Sequence, residues 1–262
     1  MNILVSIPVY NEQQYVRTVL DEIRRFSNDI LVIDDGSTDD TPLLLARQPV
    51  EVIRHAVNRG YGRSIQDAFR WAQSYGYDWL ITIDCDEQHE PASLPDFYDR
   101  IKCGDTDVIS GSRYLDAQTQ GSPPPPDRRH INTIMTQTIN DHTDLQITDA
   151  FCGFKAYRVN ALKEMTLTES GYAFPMQFWV QAAAYRLQVV EIPIRLIYKD
   201  ANRSFGEFLD NPAHRLAHYQ NALDCELAKF PEIFARRHYT QWAPKQDKFY
   251  QDISAAITTA IT

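Results

Sequence analysis

The sequence predicts an α/β fold: a mostly parallel sheet flanked by helices, with a helical C-terminal extension. Three observations carry the prediction. Over the first 112 residues, short β-branched runs alternate with segments of helical period, and parallel strands need such crossovers to pair. Acid-rich polar clusters follow directly after these runs, where the strands of a parallel sheet end and ligands collect. Finally, 262 residues at 44% hydrophobic and 23% charged suit one well-buried domain, and exclude wholesale disorder or a fibrous class.

Taken in order, Ile3 to Ile7 reads as the first strand, and Val16, Val19, Leu20 and Ile23 then recur at helical spacing. Ile30 to Ile33 is a second strand, followed by the helix-start signal Ser37-Thr38-Asp39-Asp40. Val50 to Ile53, Trp79 to Ile83 and Asp107 to Ile109 continue the strand series, with helices over Ser64 to Tyr75 and Pro91 to Lys102. At Gln118 to Asp127 the composition shifts, and four consecutive prolines, which can continue neither a helix nor a central strand, predict a loop over the site edge. A helix from Arg129 to about His142, a strand from Gly153 to Arg158, a helix from Ala173 to Leu187 and a strand from Val189 to Ile194 come next. From about residue 205 the chain is helical in character. The expected organisation is one domain over 1–204, divided into halves at 115/116, with an extension over 205–262.

A net charge of -9 lacks the basic field that a nucleic-acid backbone requires, which argues against DNA or RNA as a partner. Cys85, Cys103, Cys152 and Cys225 lie far apart, with no Cys-x-x-Cys pair, so neither zinc nor a disulfide framework is signalled and reduced thiols in a cytoplasm are expected. The N-terminus shows no secretory signal. Apolar runs fall far short of the roughly 20 residues that span a bilayer, so membrane contact would be peripheral. Phe230, Phe234, Tyr239 and Trp242 on the basic C-terminal segment form an aromatic stripe. Such a stripe lies on a membrane surface or packs on its own domain.

The strongest chemical signal is Trp79 to Ile83 running into Asp84-Cys85-Asp86-Glu87-Gln88-His89. Two carboxylates one residue apart at the end of a buried strand repel each other unless a cation neutralises them. Oxygens of Asp84, Asp86 and Gln88 suit Mg²⁺ or Mn²⁺, which leave coordination positions for substrate phosphates. The rival Asp-x-Asp, that of haloacid-dehalogenase-like phosphatases, normally lies on the first strand with Thr or Val after the second Asp; here it follows about the fourth. A second constellation pairs Pro8-Val9-Tyr10-Asn11-Glu12 after the first strand with Asp34-Asp35-Gly36-Ser37-Thr38-Asp39 after the second. Tyr10 can stack on a base or ribose, and the carboxylates can accept hydrogen bonds from ribose hydroxyls and base N–H groups. Together they describe a nucleotide pocket. No Gly-rich basic loop follows the first strand, which counts against P-loop and dinucleotide-binding classes.

With Asn58-Arg59-Gly60-Tyr61-Gly62 and Gly111-Ser112-Arg113-Tyr114 added in the same order and spacing, the chain resembles the family 2 glycosyltransferases. That resemblance implies the GT-A fold, a Rossmann-like, mostly parallel sheet. The second half is most similar to the dolichyl- and polyprenyl-phosphate mannosyltransferases, through Asp149-Ala150-Phe151-Cys152-Gly153-Phe154-Lys155-Ala156-Tyr157, Gly171-Tyr172-Ala173-Phe174 and Arg203-Ser204-Phe205. Gln177 stands where those relatives usually carry Glu.

The resemblance implies a metal on Asp84, Asp86 and Gln88, and a nucleotide diphosphate sugar, GDP-mannose or a UDP-sugar, among Pro8, Tyr10, Glu12, Asp35, Asp84 and Cys85. Arg113, Arg129, Arg203 and Ser204 would hold a lipid-phosphate acceptor, since guanidinium groups bind phosphate through paired hydrogen bonds. Transfer would invert configuration, with the metal that the catalytic Asp86 helps to hold, and Arg113, stabilising the departing diphosphate. Asp149 stands as the candidate base if the acceptor is a hydroxyl, or as a structural carboxylate. A cytoplasmic protein, working at the inner face of the membrane if the acceptor is a lipid, is expected. A non-catalytic nucleotide-sugar-binding protein is the alternative of a different class.

Overall fold

A computed structural model describes residues 1–85, 90–116, 124–195, 197 and 204–234. Seven strands form one sheet: β1 (Ile3–Val9), β2 (Ile30–Asp34), β3 (Glu51–Arg54), β4 (Trp79–Thr82), β5 (Val108–Ser112), β6 (Lys155–Arg158) and β7 (Val189–Pro193), in the order β3-β2-β1-β4-β6-β5-β7. All neighbouring pairs are parallel except those made by β6, which runs antiparallel to β4 and β5. The strand sequence reverses direction across the sheet at β1, which has β2 on one side and β4 on the other; such a switch point opens a crevice at the carboxyl edge.

The period of two along each strand divides the core between the two faces of the sheet. Leu4, Leu31, Ile33, Leu80, Val108 and Tyr157 face one layer, while Val5, Ile7, Ile30, Val32, Ile81 and Ala156 face the other. Helices α1 (Val16–Ile23), α2 (Thr41–Leu45) and α4 (Leu94–Lys102) cover the second face, through Val19, Leu20, Leu45 and Phe97. The first face is covered by α3 (Tyr61–Ser74), α5 (Pro126–His142) and α6 (Phe174–Ala184), through Phe69, Met135, Phe178 and Trp179.

Several element ends differ by a few residues from the sequence reading, and one shift bears on the site edge. The Pro-rich loop was expected to run through Asp127, but Pro126 already opens α5, because proline's fixed φ and missing N–H suit the first helical position; residues 118–123 of that loop lie outside the described residues. Over its described residues, the helical extension from residue 205 packs on the same core. After the short α7 (Glu207–Asp210), α8 (Pro212–Leu227) starts on Asn211, whose side chain accepts from the backbone N–H of Ala213 at 2.9 Å and of His214 at 3.2 Å. It then sends Leu216, Tyr219, Leu223 and Leu227 into the same core as α5 and α6. Phe230 and Phe234, the latter in α9 (Pro231–Phe234), pack on that core too. This is the self-packing alternative for the part of the aromatic stripe that is described; Tyr239 and Trp242 lie outside it. Among the described residues, no helix is long and apolar enough to cross a membrane.

A polar clamp fixes α8 to α6. The buried Glu226 carboxylate accepts from Gln177 Nε2 at 2.8 Å, Gln181 Nε2 at 2.7 Å and Lys229 Nζ. The glutamines' own carbonyl oxygens accept from the backbone N–H of Thr168, Glu169 and Thr166. Gln177 thus supplies a donor that a Glu at this position would lack. Truncation strands two buried amides, so Glu226→Ala is expected to lower the unfolding free energy by about 2–4 kcal/mol in urea melts, with the wild-type fold retained at low denaturant.

Candidate active site

A cleft of about 870 Å³ opens along the carboxyl edge of the sheet. It collects Pro8, Tyr10, Glu12, Asp35, Asp84 and Cys85 at one end, and Arg113 and Ser204 towards the other. Arg129 stands just outside the lining, its guanidinium 3.6 Å from the centre of the Tyr114 ring. Asp86, Gln88 and Arg203 lie outside the described residues.

The end built from β1 and β2 is knitted by its own polar side chains. Asn11 adopts a left-handed backbone (φ 57°), tolerated by Asn because its short side chain bonds locally. Its Oδ1 accepts the Thr38 N–H at 2.8 Å, while its own N–H donates to Ser37 Oγ at 2.9 Å. The Glu12 N–H donates to Thr41 Oγ1 at 2.9 Å. The two motifs paired in the sequence therefore form one wall. Asp34 turns away from the cleft chemistry: it is fully buried, accepts the Ser37 N–H at 2.9 Å and pairs with Arg54 at 3.2 Å. Asp35, by contrast, lies on the cleft and receives the backbone N–H groups of Arg59 and Gly60, each at 2.8 Å.

Asp84 extends from the end of β4. Burial, then the Asp84 charge, raises the Tyr61 hydroxyl well above its ordinary pKa, so Tyr61 stays a neutral hydrogen-bond donor beside that carboxylate. On the other side lies Gly153, where a Cβ would sit 2.1 Å from Asp84 Oδ2. Thr82 Oγ1 holds that backbone in place by donating to the Gly153 carbonyl at 2.7 Å. A glycine here is demanded by close approach. Because β6 is antiparallel, its preceding segment 149–153 arrives at the edge where the parallel strands end. Lys155, buried behind it, donates to the Cys152 carbonyl, and burial lowers its pKa.

The same arrangement brings Asp149 onto Arg113, which follows β5. The pair is bidentate, Nε to Oδ2 at 2.6 Å and Nη2 to Oδ1 at 2.8 Å. The Arg113 backbone N–H (3.2 Å), Asn132 Nδ2 (2.7 Å) and the Phe151 N–H (3.3 Å) complete the shell. Burial alone would raise the Asp149 pKa, but the Arg113 charge and these hydrogen bonds outweigh it and hold the carboxyl far below its usual range. Asp149 is thus ionised and fully engaged by protein donors. That is poor equipment for a general base, which needs an open acceptor and a pKa near the working pH. The structural alternative describes Asp149 better.

Further along the cleft stands an aromatic wall whose Phe151, Tyr172 and Phe205 come from the motif segments, and whose Arg128, Arg215 and Tyr219 do not. Tyr172 packs edge-on to Phe205 at 5.3 Å between ring centres and Phe151 lies 4.8 Å from Tyr219. The guanidinium groups of Arg128 and Arg215 lie 4.5 and 4.7 Å from the Phe205 ring centre, within cation–π range. Arg215 also bonds Asp127 and the Leu209 carbonyl. Arg128 sits one helical turn before Asn132, which also lines the cleft.

Among the described residues, no group of three His, Cys, Asp or Glu side chains could hold a metal. Of the three expected ligands only Asp84 is described. It fits the role: it offers carboxylate oxygen on the cleft, in a niche that Gly153 keeps open.

A family model described as "Glycosyl transferase family 2" matches residues 4–166. The undecaprenyl-phosphate mannosyltransferase of Micrococcus luteus is 28% identical over 78% of this chain and 87% of its own length. The polyprenol monophosphomannose synthase of Mycolicibacterium smegmatis is 30% identical over 73% of this chain and 76% of its own. Among solved structures, glucosyl-3-phosphoglycerate synthase from Mycobacterium tuberculosis superposes with a TM-score of 0.68 in its UDP complex, at 16% identity over 87% of this chain and 80% of that one. Its complex with Mn²⁺, UDP-glucose and phosphoglyceric acid gives 0.65. At that identity the likeness shows the fold.

Removing the Asp149 charge would strand a buried guanidinium. Asp149→Asn is expected to lose about 3–5 kcal/mol of stability, read as a marked drop in melting temperature. The sign with pH follows from the depressed pKa: the pair's contribution is complete above the ordinary Asp range and is lost only as pH falls through the lower, folded-state value.

Proposed function

The chain belongs to the family 2 glycosyltransferases, with the GT-A fold, and from that premise we propose that it transfers a hexose, with inversion, from a nucleotide diphosphate sugar to a polyprenyl-phosphate-type acceptor. The observation that carries the acceptor is the Asp149 shell. A phosphate is already anionic and attacks without a base, whereas a sugar hydroxyl would need one, and Asp149 is closed to that task. The aromatic wall with Arg128 and Arg215 supports the same reading, offering apolar surface and guanidinium charge side by side. The relatives named for polyprenyl and undecaprenyl phosphates add to it.

In this reading Tyr10 and Asp35 hold the nucleoside, and Asp84, with Asp86 and Gln88, holds Mg²⁺ or Mn²⁺. When bound, the metal supplies positive charge to the departing diphosphate. Arg113 is kept cationic by Asp149, and its remaining N–H groups are available to phosphate oxygens at the junction of the donor and acceptor ends. Tyr61 keeps the Asp84 carboxylate oriented through its neutral hydroxyl. Arg129 and the Arg203-Ser204 segment belong to the acceptor approach. A polyprenyl tail resides in a bilayer, so the protein would work against the cytoplasmic membrane face, in peripheral contact.

Incubation with radiolabelled nucleotide sugars and a polyprenyl phosphate tests the acceptor: label should enter the organic phase as an acid-labile product. Label transferred only to soluble saccharides would overturn the acceptor assignment. Asp84→Asn is expected to reduce transfer by on the order of 10²–10³-fold while leaving the fold intact by circular dichroism. Gly153→Ala, which forces the Asp84 carboxylate from its niche, should weaken Mn²⁺-dependent nucleotide binding in thermal-shift assays.

A further inference from the structure

Carboxylates that read a base do so through the acceptor positions they have left. Asp35 has four in-plane lone pairs, and among the described residues three are taken. Its Oδ1 accepts from His55 Nδ1 at 2.6 Å and from the Arg59 N–H at 2.8 Å, and its Oδ2 accepts from the Gly60 N–H at 2.8 Å. A carboxylate only accepts, so the His55 nitrogen is the donor. One position on Oδ2 remains, on a residue that is 4% exposed and forms part of the cleft wall.

The arrangement resists rearrangement. His55 Nε2 reaches Asp67 Oδ2 at 3.0 Å, and Asp67 is itself held by Arg63 Nε at 2.7 Å and Arg70 Nη1 at 2.6 Å. The Asp35 N–H is tied to the Val9 carbonyl at 2.8 Å. Gly60 has φ +98°, and a Cβ there would fall 2.3 Å from the Ser170 carbonyl oxygen, so the loop that fills Asp35 is packed against its neighbour. Rotating the carboxylate to free Oδ1 would break two hydrogen bonds at once.

We propose that His55 and the Arg59 N–H, by filling Oδ1 of Asp35, and the Gly60 N–H, by taking one position on Oδ2, make the donor pocket select uracil over guanine. The inference rests on the glycosyl-donor reading above. Uracil presents a single pairing-edge N–H between two carbonyls. One acceptor satisfies it, and a second free carboxylate oxygen would face a carbonyl and repel it. Guanine presents N1–H and N2–H side by side and needs both oxygens. With Oδ1 filled, one of its donors is desolvated without a partner, and sites built this way discriminate strongly against the mismatched group. Tyr10 can stack on either base, so the choice falls to Asp35.

Titration calorimetry of the full chain with Mn²⁺ and, in turn, UDP, GDP, CDP and ADP tests this. UDP is expected to bind at least about tenfold more tightly than GDP, and His55→Leu, which reopens a position on Oδ1, should narrow that ratio. Equal or tighter binding of GDP, or tightest binding of CDP or ADP, overturns the base assignment and leaves the donor reading standing. Binding of no nucleotide overturns both. An unchanged ratio in a folded His55→Leu protein removes His55 from the selection. If that variant does not fold, the wild-type series alone decides the base.

Discussion

Carboxylates gathered at one edge of a parallel sheet are the constraint around which this molecule is arranged. Asp34, Asp35 and Asp149 are buried there, with Asp84 half-buried beside them, and an ionised carboxylate out of water requires charge or hydrogen-bond partners. Each takes its partner from a different part of the chain. Asp34 draws on Arg54, Asp35 on His55 and the 59–60 backbone, and Asp149 on Arg113 and Asn132. The loops around the cleft are thus fixed by the same groups that make the cleft useful.

Strand polarity decides which segments meet at that edge. Six strands point their carboxyl ends to it, while β6, running the other way, brings the residues before it. This places Gly153 against Asp84 and Asp149 against Arg113. The Asp-x-x-x-Gly spacing then reads physically as one ion-pair partner and one point of backbone contact, both serving groups that come from parallel strands. The acidic residue contributes as an anchor that holds Arg113 in place and charged.

The far end of the cleft depends on α8. Its Glu226 clamp to Gln177 and Gln181 and its apolar face on α5 and α6 set Arg215 and Tyr219 beside Tyr172 and Phe205. The helical C-terminal segment thus also lines the cleft. Gln177, where the resemblance implies a Glu, suits this contact: two carboxylates facing each other there would repel, whereas an amide donates to one and accepts from the backbone.

The sequence by itself determined the alternation of strands and helices, the edge on which the polar clusters fall, and the residues Pro8 to Glu12, Asp35 and Asp84 around one end of the cleft. These are local signals: periodicity, β-branched runs and polar residues directly after a strand. Only the tertiary structure decided that β6 is antiparallel, that Asp149 is closed by Arg113, that α8 belongs to the main core, and that Arg128 and Arg215 rather than Arg129 line the cleft. Each of these depends on contacts between segments far apart in the chain, where burial and pairing, not local pattern, set which charges meet and which face the cleft.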